Sequence, residues 1–338
     1  MKKTLVAVAV AALAATSANA AVVYNQDGTK VEVGGQLRLL LAKDKHERAD
    51  LKYGSSRIVA KATHDLGDGF SALANIEVRF DDVANEKQKD GNAYVKRIYA
   101  GFAKDGVGQI TFGRQLTNLD DVGVSDYTYD LGNVNGLLTT EVNKDIRFRS
   151  ADFAGFQFGL DYFFGNPYNG DEATQNRYND KSGFGVSAFY TTELAADTKL
   201  NLEAGYSQVK HGNTSTTAPE GPYKEKAYLV GVELASGPFA LGVDYSEQKI
   251  VDEKEKRLGV GVKYQYLDNA KVYAQYRFAK ELSEGETVSK ANRFVLGTDY
   301  KLTKNVITYV EGSTENTKYA SGTTERDNKF RVGLRVLF

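Results

Sequence analysis

The chain has 338 residues with a mean hydropathy of −0.43, which excludes a protein that spans a membrane with apolar helices. The 43 basic and 44 acidic residues almost cancel, which argues against nucleic acid as a partner. Cysteine is absent and the three histidines, His46, His64 and His211, lie far apart, so we expect no disulfide, no thiol nucleophile, no metal site and no cofactor.

Residues 1–20 have the three parts of a secretory signal peptide. Lys2 and Lys3 form a basic start, Leu5–Ala15 is an apolar run, and Ala18–Ala20 fits an A-x-A cleavage site. The alternative, an uncleaved membrane anchor, is disfavoured because the apolar run is too short to cross a bilayer. We therefore predict a cleaved signal peptide and one domain, residues 21–338.

Beyond Tyr24, apolar and polar residues alternate in stretches of strand length. One stretch has Phe156, Phe158, Leu160, Tyr162 and Phe164 alternating with Gln157 and Asp161. Successive side chains of a strand point to opposite faces, whereas a helix repeats every 3.6 residues, and that period fits none of these stretches. The pattern predicts an all-β protein whose strands are apolar on one face and polar on the other.

The connections between these stretches are alternately short and long. The seven short ones are Asp65–Gly69, Lys104–Gly108, Ala151–Gly155, Ala195–Thr198, Ala235–Pro238, Leu267–Ala270 and Leu302–Asn305. The eight long ones are Lys43–Leu51, Asp81–Asn92, Arg114–Asn143, Gly165–Ser182, Lys210–Lys224, Glu247–Lys256, Lys280–Lys290 and Asn316–Lys329.

Fifteen connections predict about sixteen strands. Short turns at one end and long loops at the other are typical of a transmembrane antiparallel β-barrel of the outer membrane, with the turns and both termini in the periplasm. A soluble sandwich, the alternative, has short strands too but does not predict the alternation of connections. A barrel of this size leaves an aqueous channel.

The connection Arg114–Asn143 is the longest and is acidic. It carries four aspartates: Asp120, Asp121, Asp126 and Asp130. A loop of this length in a compact protein is functional or disordered. We predict that it folds into the pore and forms the acidic side of a constriction; the alternative is a solvated surface loop.

Basic residues are placed to face this loop. The strand alternation turns six arginines inward, together with Lys61 and with Glu77 beside Arg79: Arg38, Arg57, Arg79, Arg97, Arg147 and Arg149. Arginines opposite acids across a pore create a transverse field that orients dipolar solutes and penalises apolar ones. The alternative for any one arginine is a polar lining without a special role.

The last strand has an apolar face that ends on an aromatic residue. Phe330, Val332, Leu334, Val336 and Phe338 lie on that face, and Arg331 and Arg335 lie on the other. We predict that this strand pairs with the first, Lys30–Lys43, and so closes the barrel and removes both sheet edges.

The chain resembles the Gram-negative general diffusion porins, and most of all the Pasteurellaceae-type members. The matching segments are Ala21–Asn25 with Asp27–Glu32, Lys61–Phe70, Tyr99–Phe102, Thr111–Arg114 and the terminal Phe338. The resemblance implies a homotrimer of sixteen-stranded barrels, with the third loop folded into each pore and a basic ladder on the facing wall.

The resemblance also assigns residues to this wall. By position, Arg57, Arg97 and Arg114 match its basic residues, Glu77 matches an inward acid, and Phe338 matches the signal that the outer-membrane assembly machinery reads. Two features depart from the family pattern. Gln36 stands where many relatives have a basic residue, with Arg38 two positions further on, and the P-E-F-G-G-D stretch of the third loop is missing.

We therefore predict a general porin, not an enzyme, that admits ions and small hydrophilic solutes by passive diffusion, with a slight preference for cations. Its other expected partners are outer-membrane lipid and lipopolysaccharide. Three alternatives remain: a barrel enzyme, an adhesin that uses loops such as Lys210–Lys224, and a substrate-specific channel. The last would need a row of inward aromatic residues, and those predicted to face inward form no row: Tyr99, Phe163, Phe189 and Tyr273.

Overall fold

The computed structural model describes residues 20–81, 92–133, 136–165, 180–212 and 222–338. The predicted signal peptide lies outside the described residues except for Ala20. Eighteen strands form one antiparallel sheet. No helix in these ranges is long and apolar enough to cross a membrane.

The strands follow one another along the chain. The first nine are β1 Ala21–Gln26, β2 Thr29–Lys43, β3 Asp50–Tyr53, β4 Ser56–Gly67, β5 Phe70–Asp81, β6 Asn92–Lys104, β7 Gly108–Leu116, β8 Glu141–Ser150 and β9 Phe156–Phe163. The others are β10 Asp180–Ala195, β11 Thr198–His211, β12 Tyr223–Ser236, β13 Phe239–Ile250, β14 Glu253–Leu267, β15 Ala270–Ser283, β16 Glu286–Thr303, β17 Val306–Tyr319 and β18 Thr324–Leu337.

The sheet closes on itself where β18 pairs with β2, with Arg335 opposite Arg38. Two of the eighteen strands, β1 and β3, are short segments. β1 pairs with the first half of β2. On the other side of β2, β4 pairs with the first half and β3 with the second half, so β3 and β4 together take the place of one strand. Sixteen strands therefore form the closed barrel. The predicted strand number and the predicted pairing of the last strand with the first are confirmed.

Burial is inverted relative to a soluble protein. In β13, Leu241 is 47% exposed on the outer face, whereas Asp244 on the inner face is 2% exposed. The same alternation runs through the other strands, so large apolar side chains cover the outside and polar ones line the inside. This is the distribution that a barrel needs when lipid surrounds it and water fills it.

The two ends of the barrel differ from each other. All seven predicted short turns are present at one end; the chain reverses through Asp68 and Gly69, for example, between β4 and β5. At the other end, three of the predicted long connections lie largely outside the described residues: Asp81–Asn92, Gly165–Ser182 and Lys210–Lys224.

The structure corrects three other predicted long loops. Only residues 251–252 separate β13 from β14, and only residues 284–285 separate β15 from β16. Residues 320–323 join β17 to β18. The chain segments assigned to loops continue the strands as ladders that are polar on both faces. Glu284 and Gly285 have φ of 52° and 89°, as a two-residue hairpin turn of type I′ requires.

Candidate functional site

The connection of residues 117–140, which we call the lumen loop, turns inward between β7 and β8. The backbone N–H of Thr117 donates to the carbonyl oxygen of Thr140 over 3.0 Å, so the two ends of the loop are tied together. The Thr117 hydroxyl oxygen accepts the backbone N–H of Leu119 at 3.2 Å and caps the short helix Asn118–Asp121.

Four carboxylates of the inner wall hold the lumen loop by its backbone. Asp161 accepts the N–H of Asn118 (3.0 Å), Glu203 that of Gly123 (2.7 Å), Asp244 those of Val124 (3.0 Å) and Ser125 (2.6 Å), and Glu311 those of Asp130 (2.9 Å) and Leu131 (3.0 Å). These acceptors lie on β9, β11, β13 and β17, so the loop follows the inner wall along half of the described strands. Hydrogen bonds to ionised carboxylates are among the stronger ones in proteins.

The loop also has an apolar anchor inside an otherwise polar lumen. Leu119 and Val122 are fully buried, and together with Leu138 they pack against Ala227 and Leu229 of β12. Burying these side chains removes apolar surface from the water of the channel, which favours the folded-in position of the loop.

Glycines on the inner wall make room for the loop. A Cβ atom at Gly242 would collide with the carbonyl of Val124, and one at Gly261 would collide with the carbonyl of Ser125. A Cβ at Gly205 would lie 2.9 Å from a methyl carbon of Leu119. Glycine is therefore required at Gly242 and Gly261 because the loop backbone lies directly on these strands.

The first basic cluster of the opposite wall is built around Glu77. Arg79 and Arg97 each donate to its carboxylate at 2.6 Å, and Arg57 lies 3.9 Å away. Glu77, which was predicted to point inward beside Arg79, therefore lies among the wall arginines and apart from the aspartates of the lumen loop. Three guanidinium groups share one carboxylate, which leaves this part of the wall positive.

The second cluster joins the wall to the tip of the short helix. Asp121 lies 3.6 Å from Arg147 and 3.3 Å from Arg149. Arg149 also stacks on the ring of Phe189, with its guanidinium carbon 3.7 Å from the ring centre. Burial and the neighbouring Asp121 raise the pKa of Asp120 to about 6, against the opposing influence of nearby arginines on the wall.

The third cluster lies where the barrel closes. Arg38 of β2 and Arg331 of β18 each bind Asp130 of the lumen loop at 2.8 Å, and Arg331 also binds Asp44 at 2.6 Å. Arg38 donates to the backbone carbonyl of Tyr129 as well. Three of the predicted wall arginines thus pair directly with loop acids rather than facing them across open water.

Two predicted site residues lie apart from these clusters. Asp126 accepts the backbone N–H of Thr128 at 2.9 Å and its hydroxyl at 2.7 Å, so it shapes the loop itself. Arg114 is opposite Ile98 in the β6–β7 ladder, and Ile98 is exposed on the outer face. Residues directly opposite share a face, so Arg114 starts from the outer side of the barrel and its assignment to the inner wall is corrected.

A cluster of tyrosines that joins the lumen loop to the inner wall was not predicted from the sequence. Tyr129 stacks on Tyr309 with ring centres 4.6 Å apart, and its hydroxyl donates to Asp299 at 2.6 Å. Burial and that bond raise the pKa of Tyr129. Tyr273 donates to Glu311 at 2.8 Å. Inward strand parity was the available signal for Tyr273, Tyr309 and the wall carboxylates, but it does not reveal which ones contact the loop.

Comparison with known proteins agrees with this geometry. A family model described as Gram-negative porin matches residues 7–320. The chain belongs to the Gram-negative porin family. This porin is 49% identical over 356 aligned residues, covering 100% of both chains, to a major outer membrane protein of Pasteurella multocida strain Pm70. A second Pasteurella multocida major outer membrane protein is 46% identical and covers 85% of the chain and 86% of its own length.

Solved structures show the same fold. Outer-membrane expressed OmpT of Vibrio cholerae superposes with a TM-score of 0.73 at 21% identity, covering 93% of this porin and 99% of its own chain. An anion-selective porin from Comamonas acidovorans gives 0.68 at 19% identity, covering 92% and 100%. The predicted family, barrel fold, channel function and outer-membrane location are thereby confirmed.

Proposed function

We propose that this porin conducts ions and small hydrophilic solutes passively through a channel narrowed by the lumen loop. The observation that carries the proposal is the set of backbone hydrogen bonds from the loop to Asp161, Glu203, Asp244 and Glu311. They support a loop that stays in the lumen while solutes pass. The passage then runs between the loop and the wall of β4–β8.

We infer that the wall side of this passage carries more net charge than the loop side. Arg57, Arg79 and Arg97 share Glu77, while Asp121 and Asp130 are each bound by two arginines. The wall arginines therefore outnumber the acidic side chains near them. The resulting positive charge favours anions in the passage. This proposal reverses the slight cation preference that the acidic loop suggested from sequence alone.

Recording from planar lipid bilayers tests the function and the selectivity together. We expect ohmic conductance steps and, in a KCl gradient, a reversal potential that indicates anion preference. The variant R57Q/R79Q/R97Q is expected to move the reversal potential toward cations, whereas Lys199→Gln, at the short-turn end, leaves it unchanged. No conductance, or a block by one sugar at micromolar concentration, would refute a general porin.

The oligomer and the orientation belong to the same proposal. A trimer form is described for OmpT of Vibrio cholerae, and we propose a homotrimer for this porin, with the short turns and both termini in the periplasm. We propose further that residues 1–20 are cleaved and that the chain has no enzymatic activity. Native mass spectrometry of the detergent-purified protein is expected to give the mass of three chains that each begin at Ala21.

A further inference from the structure

Two arginines of the inner wall face the passage without a carboxylate of their own. Arg57 of β4 reaches only the Glu77 carboxylate, at 3.9 Å, and Arg79 and Arg97 already bind that group at 2.6 Å. Arg335 of β18 forms no ion pair within the described part of the chain, and its Nε atom is buried without a hydrogen-bond partner. Both guanidinium groups therefore have donors left for a negatively charged solute.

Gln36 of β2 lies between these two arginines. It is directly opposite Arg57 on one side and opposite Leu337, two residues beyond Arg335, on the other. Its side-chain oxygen accepts Arg335 at 2.8 Å, and its side-chain nitrogen donates to the carbonyl oxygen of Ser55 at 2.9 Å. Gln36 thus holds Arg335 without adding a charge. We call Arg57, Gln36 and Arg335 the two-arginine site.

The strand ladders set the spacing of the site. β18 and β4 pair with opposite sides of β2, and Arg335 lies two residues further along than Arg57. With about 4.8 Å between neighbouring strands and a rise of about 3.4 Å per residue, the two Cα atoms lie about 12 Å apart. Arg335 is directed toward Gln36, and its charge acts on Arg57. This spacing suits a solute with a negative group at each end.

The tip of the lumen loop holds Arg335 from another side. The guanidinium carbon of Arg335 lies 5.4 Å from the ring centre of Tyr129, within the range of a cation–π contact. The next loop residue, Asp130, is bound by Arg38 and Arg331 and leaves Arg335 unneutralised. Because Gln36 and Tyr129 both position this side chain, binding a solute costs less side-chain entropy.

Each arginine of the site faces a second arginine that already has a carboxylate. Arg335 is directly opposite Arg38, and Arg57 is directly opposite Arg79. Arg38 and Arg79 are bound by carboxylates at 2.8 Å and 2.6 Å. Like charges directly opposite each other on a sheet are destabilising. One further carboxylate at Arg57 and one at Arg335 would therefore complete both couples.

We propose that Arg57 and Arg335 bind the two ends of a short-chain dicarboxylate as it passes through this porin. The planar fork of arginine matches a carboxylate with two parallel hydrogen bonds, so each end of the solute is held bidentately. Gln36 acts as a positioning residue. This binding rests on the proposed function, because a dicarboxylate reaches the site only through an open channel. It narrows the preference for anions to one class of solute.

Block of single-channel current in planar bilayers tests the site. The KCl current of the full-length porin is recorded while succinate, acetate or inorganic phosphate is added. Succinate has two separated carboxylates, acetate has one, and the charge of phosphate lies on one centre. We expect succinate to interrupt the current at about tenfold lower concentration than the other two, because only succinate engages both arginines. Equal or stronger block by acetate or phosphate would overturn the two-ended site.

Single substitutions separate the site from the overall charge of the lumen. R57Q and R335Q are each expected to weaken block by succinate about tenfold, because each removes hydrogen bonds to a charged group. R277Q is the matched control: Arg277 is an inward arginine of β15 that binds Glu315 at 3.0 Å. It should change block by succinate by no more than about twofold, since a distant charge is screened by salt. An equal loss in R277Q would assign the effect to net charge and overturn the site.

Gln36→Met tests the positioning role at constant charge. It removes the acceptor of Arg335, so block by succinate should weaken about fivefold, while the reversal potential in a KCl gradient stays the same. An unchanged affinity for succinate in this variant would contradict the site as proposed.

The same recordings distinguish failure of the site from failure of the channel function. Anion-selective KCl steps without interruption by succinate would overturn the two-arginine site and leave the general porin in place. Absence of KCl steps from the unmodified protein would refute the channel function itself.

Discussion

Single side chains in this porin act mainly through pairing between the lumen loop and the wall. Asp130 is the most engaged loop acid, since Arg38 and Arg331 bind it from the two strands that close the barrel. Asp130→Asn keeps the shape but removes the charge. We expect a loss of about 1.5–3 kcal/mol in the free energy of unfolding, because hydrogen bonds to charged groups contribute about that much.

Urea unfolding in detergent measures the loss at Asp130. Asp197→Asn is the matched control, since Asp197 is an exposed aspartate in a short turn at the opposite end. Equal midpoints for the two variants would contradict the role of Asp130.

Asp120 gives the channel a dependence on pH. Its pKa is raised to about 6, so the carboxyl is ionised at pH 7.5 and becomes neutral as the pH falls through 6. The loop side of the passage therefore loses negative charge, and anion preference should rise between pH 7 and pH 5. Asp120→Asn is expected to show at pH 7.5 the selectivity that the unmodified porin shows at pH 5.

Reversal potentials in a KCl gradient at several pH values measure this change. A pH dependence that is the same in Asp120→Asn and in the unmodified porin would assign the titration to other groups. The raised pKa also means that protonation of Asp120 stabilises the folded state, so this residue favours folding as the pH falls below about 6.

For single residues, the alternation along each strand predicted the face on which most side chains lie. It predicted few of the residues that these side chains contact. The inward direction of Arg38, Arg57 and Arg97 follows from the period of two. Their partners do not, because Glu77 meets Arg97 through the register of β5 with β6 and Asp130 meets Arg38 through the path of the loop. Arg114 was misplaced because its assignment came from a family position rather than from parity with Thr111 and Gly113.

At the scale of the elements, the lumen loop packs closely on the strands beneath it because these strands have glycines at the points of contact. Gly261→Ala would place a methyl group against the carbonyl of Ser125, so the loop must shift. We expect a loss of about 1–3 kcal/mol in the free energy of unfolding, as overpacking usually costs, and an altered conductance.

Gly312→Ala is the control for this substitution, because its nearest neighbour would be the carbonyl oxygen of Lys329 at 4.0 Å and its φ is not positive. Urea unfolding and single-channel recording compare the two alanine variants. Equal stability and conductance would mean that the loop does not press on β14.

The prediction of strand bounds from the sequence failed at the strand ends. The segments around Glu253–Lys256 and Lys280–Glu281 were interpreted as loops because neither face is apolar. The structure extends the ladders through them, since backbone hydrogen bonding between strands does not require an apolar face. Alternation of glutamate and lysine was present in the sequence, and it has the same period of two as the apolar alternation below it.

At the scale of the whole molecule, closure depends on the last strand. The backbone N–H of Gly35 donates to the carbonyl oxygen of Phe338 at 2.8 Å, and the Phe338 side chain is 50% exposed on the outside. We proposed from the family resemblance that this residue is read during assembly. Phe338→Ala is therefore expected to reduce the amount of porin in the outer membrane severalfold while leaving single-channel conductance unchanged.

Phe330→Ala is the matched control, since Phe330 lies on the same strand and is 45% exposed. Quantifying folded porin in isolated outer membranes compares the two variants. Normal levels of Phe338→Ala, or an equal loss in Phe330→Ala, would count against a special role for the terminal residue.

The barrel as a whole could be predicted because one physical requirement repeats in every strand. Lipid outside and water inside impose a period of two, and fifteen connections then determine the strand number. The path of the lumen loop could not be predicted, because nothing in the sequence shows that Asp161, Asp244 and Glu311 all accept hydrogen bonds from this one loop.

The wall carboxylates accept hydrogen bonds from main-chain N–H groups of the lumen loop, and every residue except proline has such a group. Exchanging a side chain on the passage-facing side of the loop therefore leaves its attachment in place. The permeability of this porin can be rewritten one residue at a time without rebuilding the barrel, which makes the loop a natural place for inherited variation and for deliberate redesign.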